Sequence, residues 1–165
     1  MAQSFTFKQI GVIRTPYTDT APYQPVADDQ GEFRIVLRQE YARGLADLET
    51  FRYIYVLYFV DRLSRDPVMT ETPAWITDTH VGLFASRSPV RPNPIGLSVV
   101  QLKKVAGNEV FTSGLDVFDN TPLLDIKPYI KDLDSKNDAN YGWIDNLPGN
   151  KQHLLLHIMG IPHEY

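Results

Sequence analysis

Residues 83–100 read LFASRSPVRPNPIGLSVV, and no other stretch limits the fold so strongly. Three prolines, two arginines, an asparagine and a glycine stand here between apolar runs. Each proline fixes φ near about −65°, removes a backbone donor and pushes the preceding residue into an extended conformation. SPVRPNP therefore belongs in neither a helix interior nor a paired central strand. It predicts a stiff, extended or turning connection. Arg87, Ser88, Arg91 and Asn93 project from it with little backbone freedom left to lose on binding. One reading is a rigid surface crossover with two solvated arginines. The other is a small-molecule or nucleotide pocket, because arginine favours carboxylate and phosphate groups.

The rest of the chain breaks into short strands. FTFKQIGVI (5–13) reads as a first strand, followed by a loop over 14–31 that holds Pro16, Pro22 and Pro25. EFRIVLR (32–38) alternates, with Phe33, Ile35 and Leu37 on one face, as a half-buried strand should. Residues 39–51 predict a helical turn and a loop broken at Gly44. YIYVLYFV (53–60) is a continuous aromatic and β-branched run, expected of a central strand buried on both faces. IGLSVVQLKKV (95–105) and EVFTSGLDVF (109–118), joined by AGN, predict a hairpin. Residues 134–150 are polar and loop-like, and HLLLHIM (153–159) fits strand or helix. Twelve prolines and ten glycines leave little room for long helices. The expectation is an all-β class with minor helix: a small, mostly antiparallel barrel in one domain spanning 1–165.

A second polar cluster, LDVFDNTPLLDIKPYI (115–130), sets Asp116, Asp119 and Asp125 beside Asn120, Thr121 and Lys127. DNTP alone is good turn chemistry, since Asp and Asn side chains bond nearby backbone. Two rigid polar loops flanking strands of one hairpin suggest a shared site. Absent cysteine excludes disulfides and thiolate metal sites. His153 and His157 sit four apart without an evident third ligand, so no metal is expected. The net charge of −4 argues against a surface coated with nucleic acid, though not against a local basic pocket. MAQSFTFKQIG lacks the apolar core of a signal peptide, and no apolar run is long enough for a membrane span, so a cytoplasmic protein is expected.

FASRSPVRPNPIGLS followed by DVFDNTPLLDIKPY resembles the TsaA-like family, also called the VirR/YaeB family. IGVIRTPY and YARGLADLETFRYIYVLYFV are similar to the opening elements of that family, so the likeness is strongest over residues 8–130. The resemblance implies an unusual small β-barrel rather than a Rossmann domain. It implies binding of S-adenosylmethionine (SAM) and a homodimer with the cofactor near the subunit interface. The best-known family activity is N6-methylation of threonylcarbamoyladenosine 37 in tRNA. The absence of a GxGxxG sequence agrees with a non-Rossmann fold.

The cofactor contacts of the family map onto Pro22, Tyr23 and Gln24, then Asp61 and Arg62, then Arg87 and Leu97, and finally Asp119, Asn120, Thr121 and Pro122. Two features depart from the usual pattern. The common DGTP is here DNTP, with asparagine the next-best residue for a left-handed backbone. Histidines usual at the position of Tyr53 and near Asp61 are missing. Methyl transfer needs alignment of donor and acceptor and a base for the acceptor proton. Asp119 is the candidate for that role, and Arg87 and Arg91 are candidates for an anionic group of the cofactor or substrate. Arg91, Asn93 and Lys127 are the substrate-binding candidates. Tyr23 is the candidate to stack on adenine or to face the sulfonium. A SAM-binding sensor or scaffold without methyl transfer, or a methyltransferase of a small molecule or another RNA, stands as the alternative.

Overall fold

The computed structural model describes residues 3–22, 31–73, 76 and 78–147. Six strands close into a barrel in the order β1 (Gly11–Arg14), β2 (Arg34–Leu37), β7 (Glu109–Thr112), β6 (Ile95–Ala106), β3 (Tyr53–Phe59) and β8 (Thr121–Pro128). A separate two-stranded ribbon pairs β4 (Thr70–Glu71) with β5 (Val81–Gly82). Among the described residues every strand pair is antiparallel, in keeping with the mostly antiparallel barrel that the sequence leads one to expect.

The inward-facing side chains form one core. Ile13, Phe33, Ile35, Ile54, Val56, Val100, Val110 and Leu123 are essentially inaccessible. Burying each such side chain stabilises the fold by about 1.5–3 kcal/mol. Leu115 and Val117, from the connection between β7 and β8, complete the core at one end.

Four readings of the sequence are adjusted. The first strand is confined to Gly11–Arg14, which pairs with β2 along its length and with β8 over Gly11–Ile13, while Phe5 and Phe7 are exposed. β3 alternates instead of burying both faces: Ile54, Val56 and Tyr58 point inward while Tyr53 and Phe59 stand outside. A barrel has one filled interior, and the aromatic composition of β3 reflects an apolar exterior as well. Residues 39–45 and 48–50 are 3₁₀ turns, the first running through Gly44. Residues 121–128, read as part of a stiff loop, form the strand β8. Its prolines stand at its second and last positions, near strand ends where a missing donor is tolerated.

The β6–β7 hairpin turns through Gly107, whose φ of 62° suits the two-residue connection to Asn108. Asn108 then donates its side-chain amide to the Leu37 carbonyl, tying this turn to the end of β2.

Candidate active site

Strand register brings four connections to one mouth of the barrel. Ile13 pairs with Thr121, Arg14 with Arg34, and Phe59 with Ile95. The mouth is therefore framed by the loop after β1, the loop after β3, the proline–arginine loop before β6, and the 113–120 connection before β8. Pro22, Asp61, Arg62, Arg87, Asp119 and Asn120 lie on these segments, and Thr121 and Pro122 open β8 at the same end. Tyr23 and Gln24 lie outside the described residues, as do Trp75, His153 and His157.

Asp119 is the knot of one side of the mouth. Its Oδ1 accepts from Arg14 Nε at 2.7 Å and from the Thr15 N–H at 3.2 Å. Its Oδ2 accepts from Asn120 Nδ2 at 3.0 Å, and its own N–H donates to the Tyr17 carbonyl at 2.7 Å. Partial burial would raise its pKa, but the bonds from Arg14, Thr15 and Asn120 outweigh it and hold the carboxyl below the ordinary value. Arg62 then clips three segments together. It donates to the Thr18 carbonyl at 3.1 Å and the Asp119 carbonyl at 2.8 Å, and it lies 5.2 Å from the centre of the Phe118 ring. A shallow cleft beside this knot is lined by Arg14, Thr15, Pro16, Glu32, Arg34 and Asp119.

Asn120 has φ 68°, in the left-handed region where a glycine or asparagine is favoured. That conformation lets its N–H reach the Ile13 carbonyl at 2.9 Å while Thr121 Oγ1 closes on the Phe118 carbonyl at 2.7 Å. Asn120→Val should destabilise the protein by about 1–3 kcal/mol, and Asn120→Gly should leave it near the parent value, as a thermal melt would read. Equal melting temperatures for the two variants would contradict the strain.

On the other side of the mouth, Tyr58 on β3, Ser98 on β6 and Asp116 before β8 form a hydrogen-bonded series. Tyr58 Oη and Ser98 Oγ are 3.2 Å apart, and Ser98 Oγ donates to Asp116 Oδ1 at 3.3 Å. Burial pushes the Asp116 pKa up, and it pushes the Tyr58 phenol up to about 12. The positive charge of Arg87, itself exposed, acts in the opposite direction on both. The proline–arginine loop and the 113–120 connection thus share one electrostatic environment.

Arg91 faces inward within its own loop. Its guanidinium donates to the carbonyls of Leu83, Ser86 and Ser88 at 3.1–3.3 Å and lies 5.5 Å from the Phe84 ring centre. Ser88 and Arg65 both reach the buried Glu71, which fastens the loop to the β4–β5 ribbon. Arg91 is a brace that holds Arg87 in place. Asn93 is exposed at the loop tip. Lys127 stands at the far end of β8, opposite Tyr55 in the pairing and ion-paired with Asp125 at 2.7 Å. It is about six residues, or 20 Å, along the strand from the mouth.

Leu97 projects outward from β6, half-exposed, in a stripe with Ile95 and Val99 and with Tyr53 and Phe59 of the neighbouring β3. Basic residues divide between the ends: Arg14, Arg34, Arg62 and Arg87 border the mouth, whereas Arg38 follows β2 and Arg52 precedes β3 at the opposite end. Among the described residues, no group of three His, Asp or Glu side chains could hold a metal ion. Ser98 and Tyr58 were hidden from the sequence because both sit in strands that read as core. Arg14 gave no signal beyond following the first strand.

The description of a family model, the tRNA-methyltransferase O N-terminal domain, fits residues 12–135, from β1 to the short helix α1 (Lys131–Asp134). The chain belongs to this family. This tRNA-methyltransferase O family chain is 41% identical over 143 residues to a probable S-adenosyl-L-methionine-binding protein of Archaeoglobus fulgidus, covering 84% of this chain and 37% of that one. It is 35% identical over 156 residues to the tRNA (adenine(37)-N6)-methyltransferase of Escherichia coli, covering 88% and 66%. The crystal structure of TrmO from Pseudomonas aeruginosa matches with a TM-score of 0.70 at 29% identity, over 86% of this chain and 63% of that one. The chain thus spans between 37% and 66% of the length of these three relatives.

Proposed function

We propose that the chain is a SAM-dependent methyltransferase that modifies N6 of adenosine 37 in tRNA carrying the threonylcarbamoyl group. In this reading residues 1–165 act as one domain. The observation that carries it is the joining of four connections at one barrel mouth, where Arg62 bonds to two of them and Arg87 overlooks the partly buried carboxylate of Asp116. The residues fit a zwitterionic nucleotide cofactor: Arg62 and Arg87 offer positive charge, Asp61 an exposed carboxylate, and Leu97 an apolar contact. With Pro22, Tyr23, Gln24 and Asn120–Pro122 they are the groups that would hold it. Bound there, SAM supplies an electrophilic methyl group. Arg87 anchors a carboxylate through charge-assisted bonds, and Arg91 keeps Arg87 placed. The names of the archaeal and bacterial relatives, one binding SAM and the other methylating adenine 37, support the same reading.

The partner we assign to the outer β3–β6 stripe is a second copy of the chain, which would cover Leu97 and set the cofactor near the subunit interface. A cytoplasmic location follows from a tRNA substrate, and no helix among the described residues is long and apolar enough to cross a membrane.

The test is incubation with methyl-labelled SAM and tRNA, followed by mapping of the label. Label at adenosine 37 is expected. Arg87→Ala should weaken SAM binding by about tenfold or more in calorimetry, the size of one lost charge-assisted bond; unchanged affinity removes that role. Intact SAM binding with no label in tRNA would favour the sensor reading, which draws support from the division of arginines between the two barrel ends.

A further inference from the structure

Methylation of an amino nitrogen requires a group that takes its proton, and two of the carboxylates at the mouth, Asp119 and Asp116, have opposite character. Both oxygens of Asp119 are engaged, by Arg14, the Thr15 N–H and Asn120. A carboxylate so bound is stabilised in its charged form and is a weak proton acceptor. Its bonds instead build the mouth, closing β1 against β8.

Asp116 is different. It lies three residues earlier on the same connection, between the buried Leu115 and Val117, so the backbone on both sides is fixed by core packing. Ser98 Oγ donates to its Oδ1, and Tyr58 Oη stands behind Ser98. Both hydroxyls come from the barrel wall, from β6 and β3. Their placement depends on Gly96, because a Cβ there would fall 2.0 Å from Tyr58 Cε2. The missing side chain at 96 is what lets the tyrosine ring lie across β6 and deliver its hydroxyl to Ser98. Arg87 is the cation that faces the pair from the proline–arginine loop. Burial, foremost, raises the proton affinity of Asp116, with its own N–H, Ser98 and Arg87 pulling the other way.

We propose that Asp116, rather than Asp119, is the proton acceptor of the methyl transfer, oriented by Ser98 and Tyr58. This rests on the methyltransferase reading above. As the bond from donor sulfur to methyl carbon breaks and the carbon–nitrogen bond forms, the N6 proton passes to an Asp116 carboxyl oxygen. The sulfonium charge is thereby discharged to a neutral thioether, and the carboxyl proton leaves to solvent before the next turnover. Arg87 favours the ionised form of Asp116 against the effect of burial, and Ser98 holds its Oδ1.

The experiment combines single-turnover methylation across pH, SAM calorimetry, and carbon-NMR titration of the aspartate carboxyls in the ligand-free protein. Asp116→Asn should slow methyl transfer by about 10²-fold or more while SAM affinity stays within about twofold, since calorimetry reads only the anchoring groups. Because the Ser98 bond lowers the Asp116 pKa, Ser98→Ala should raise its NMR midpoint. A base must be ionised, so activity is lost as pH falls through that pKa, and the acid limb of the rate profile should move up by the same amount.

Transfer by Asp116→Asn at near the parent rate overturns the proposal. So does loss of SAM affinity in that variant, which would make Asp116 an anchor. An NMR midpoint that moves in Ser98→Ala while the acid limb stays still also overturns it, and this arm decides alone should Asp116→Asn not fold. A parent protein that binds SAM yet methylates no tRNA brings down the methyltransferase reading and the proposal together. A parent protein that methylates alongside equally active variants brings down the proposal alone.

Discussion

Gly11→Ala is expected to lower stability by about 3 kcal/mol or more, a fall of about 6–12 °C in melting temperature for a domain of this size. Gly11 is buried on β1 and is paired on both sides, with Leu37 of β2 and Leu123 of β8. A Cβ there would lie 2.4 Å from the Val36 carbonyl oxygen and 2.9 Å from Leu37 Cα. Both obstacles are backbone, so no rotamer change relieves them. The β1–β2 ladder must part, and parting it opens the barrel. Gly44→Ala is the control, since no atom lies within 4 Å of a Cβ at 44. A Gly11→Ala melting temperature within about 2 °C of the parent, less than one kcal/mol at this size, would refute the clash.

Gly96→Ala is the second large effect, and its origin is a side chain. The added carbon meets the ring of Tyr58, whose Cε2, Cζ and Cδ2 would stand 2.0–2.6 Å away. The ring must leave its buried position, which forfeits roughly 2–3 kcal/mol of apolar burial and about 1 kcal/mol for its bond to Ser98. Unlike Gly11→Ala, this cost depends on one partner. In a Tyr58→Ala background Gly96→Ala should cost less than about 1 kcal/mol, a coupling that a double-mutant cycle in denaturant measures directly. Additive losses would show that the glycine serves something other than the tyrosine ring. Because Tyr58 backs Ser98, the single variant should also disturb the Asp116 carboxyl, which the NMR titration reads independently of stability.

The sequence disclosed the class of fold through its alternating strand at 32–38, observed over Arg34–Leu37, and its hairpin at 95–105 and 109–118, whose second strand ends at Thr112 and leaves 113–118 as connection. It also disclosed the frame of the mouth, because proline restricts backbone in a way that no partner overrides. It misjudged β3, where a run of aromatic and branched residues signals apolarity without telling the inside of a barrel from an apolar outside. It missed β8, whose two prolines are strand breakers in the middle of a sheet yet harmless near strand ends. The role of Arg91 was equally illegible: a guanidinium satisfied by three carbonyls of its own loop looks, in sequence, the same as one waiting for a ligand. The Asp116–Ser98–Tyr58 series needed coordinates for a simpler reason. Its members are 18 and 40 residues apart along the chain and meet only because β3 and β6 are neighbours. Asn120 is the converse case, since the resemblance puts glycine at its position and the tolerance of asparagine for positive φ is local.

The pairing of β1 with β8 has a consequence for synthesis. Arg14 and Asp119, which flank that seam, are 105 residues apart. At roughly 5–20 residues translated per second, β1 leaves the ribosome some 5–20 s before the strand that covers it exists. During that interval one edge of the β1–β2 ribbon has no native partner, so the nascent chain spends its most aggregation-prone moments with the end that will carry Arg14 still open.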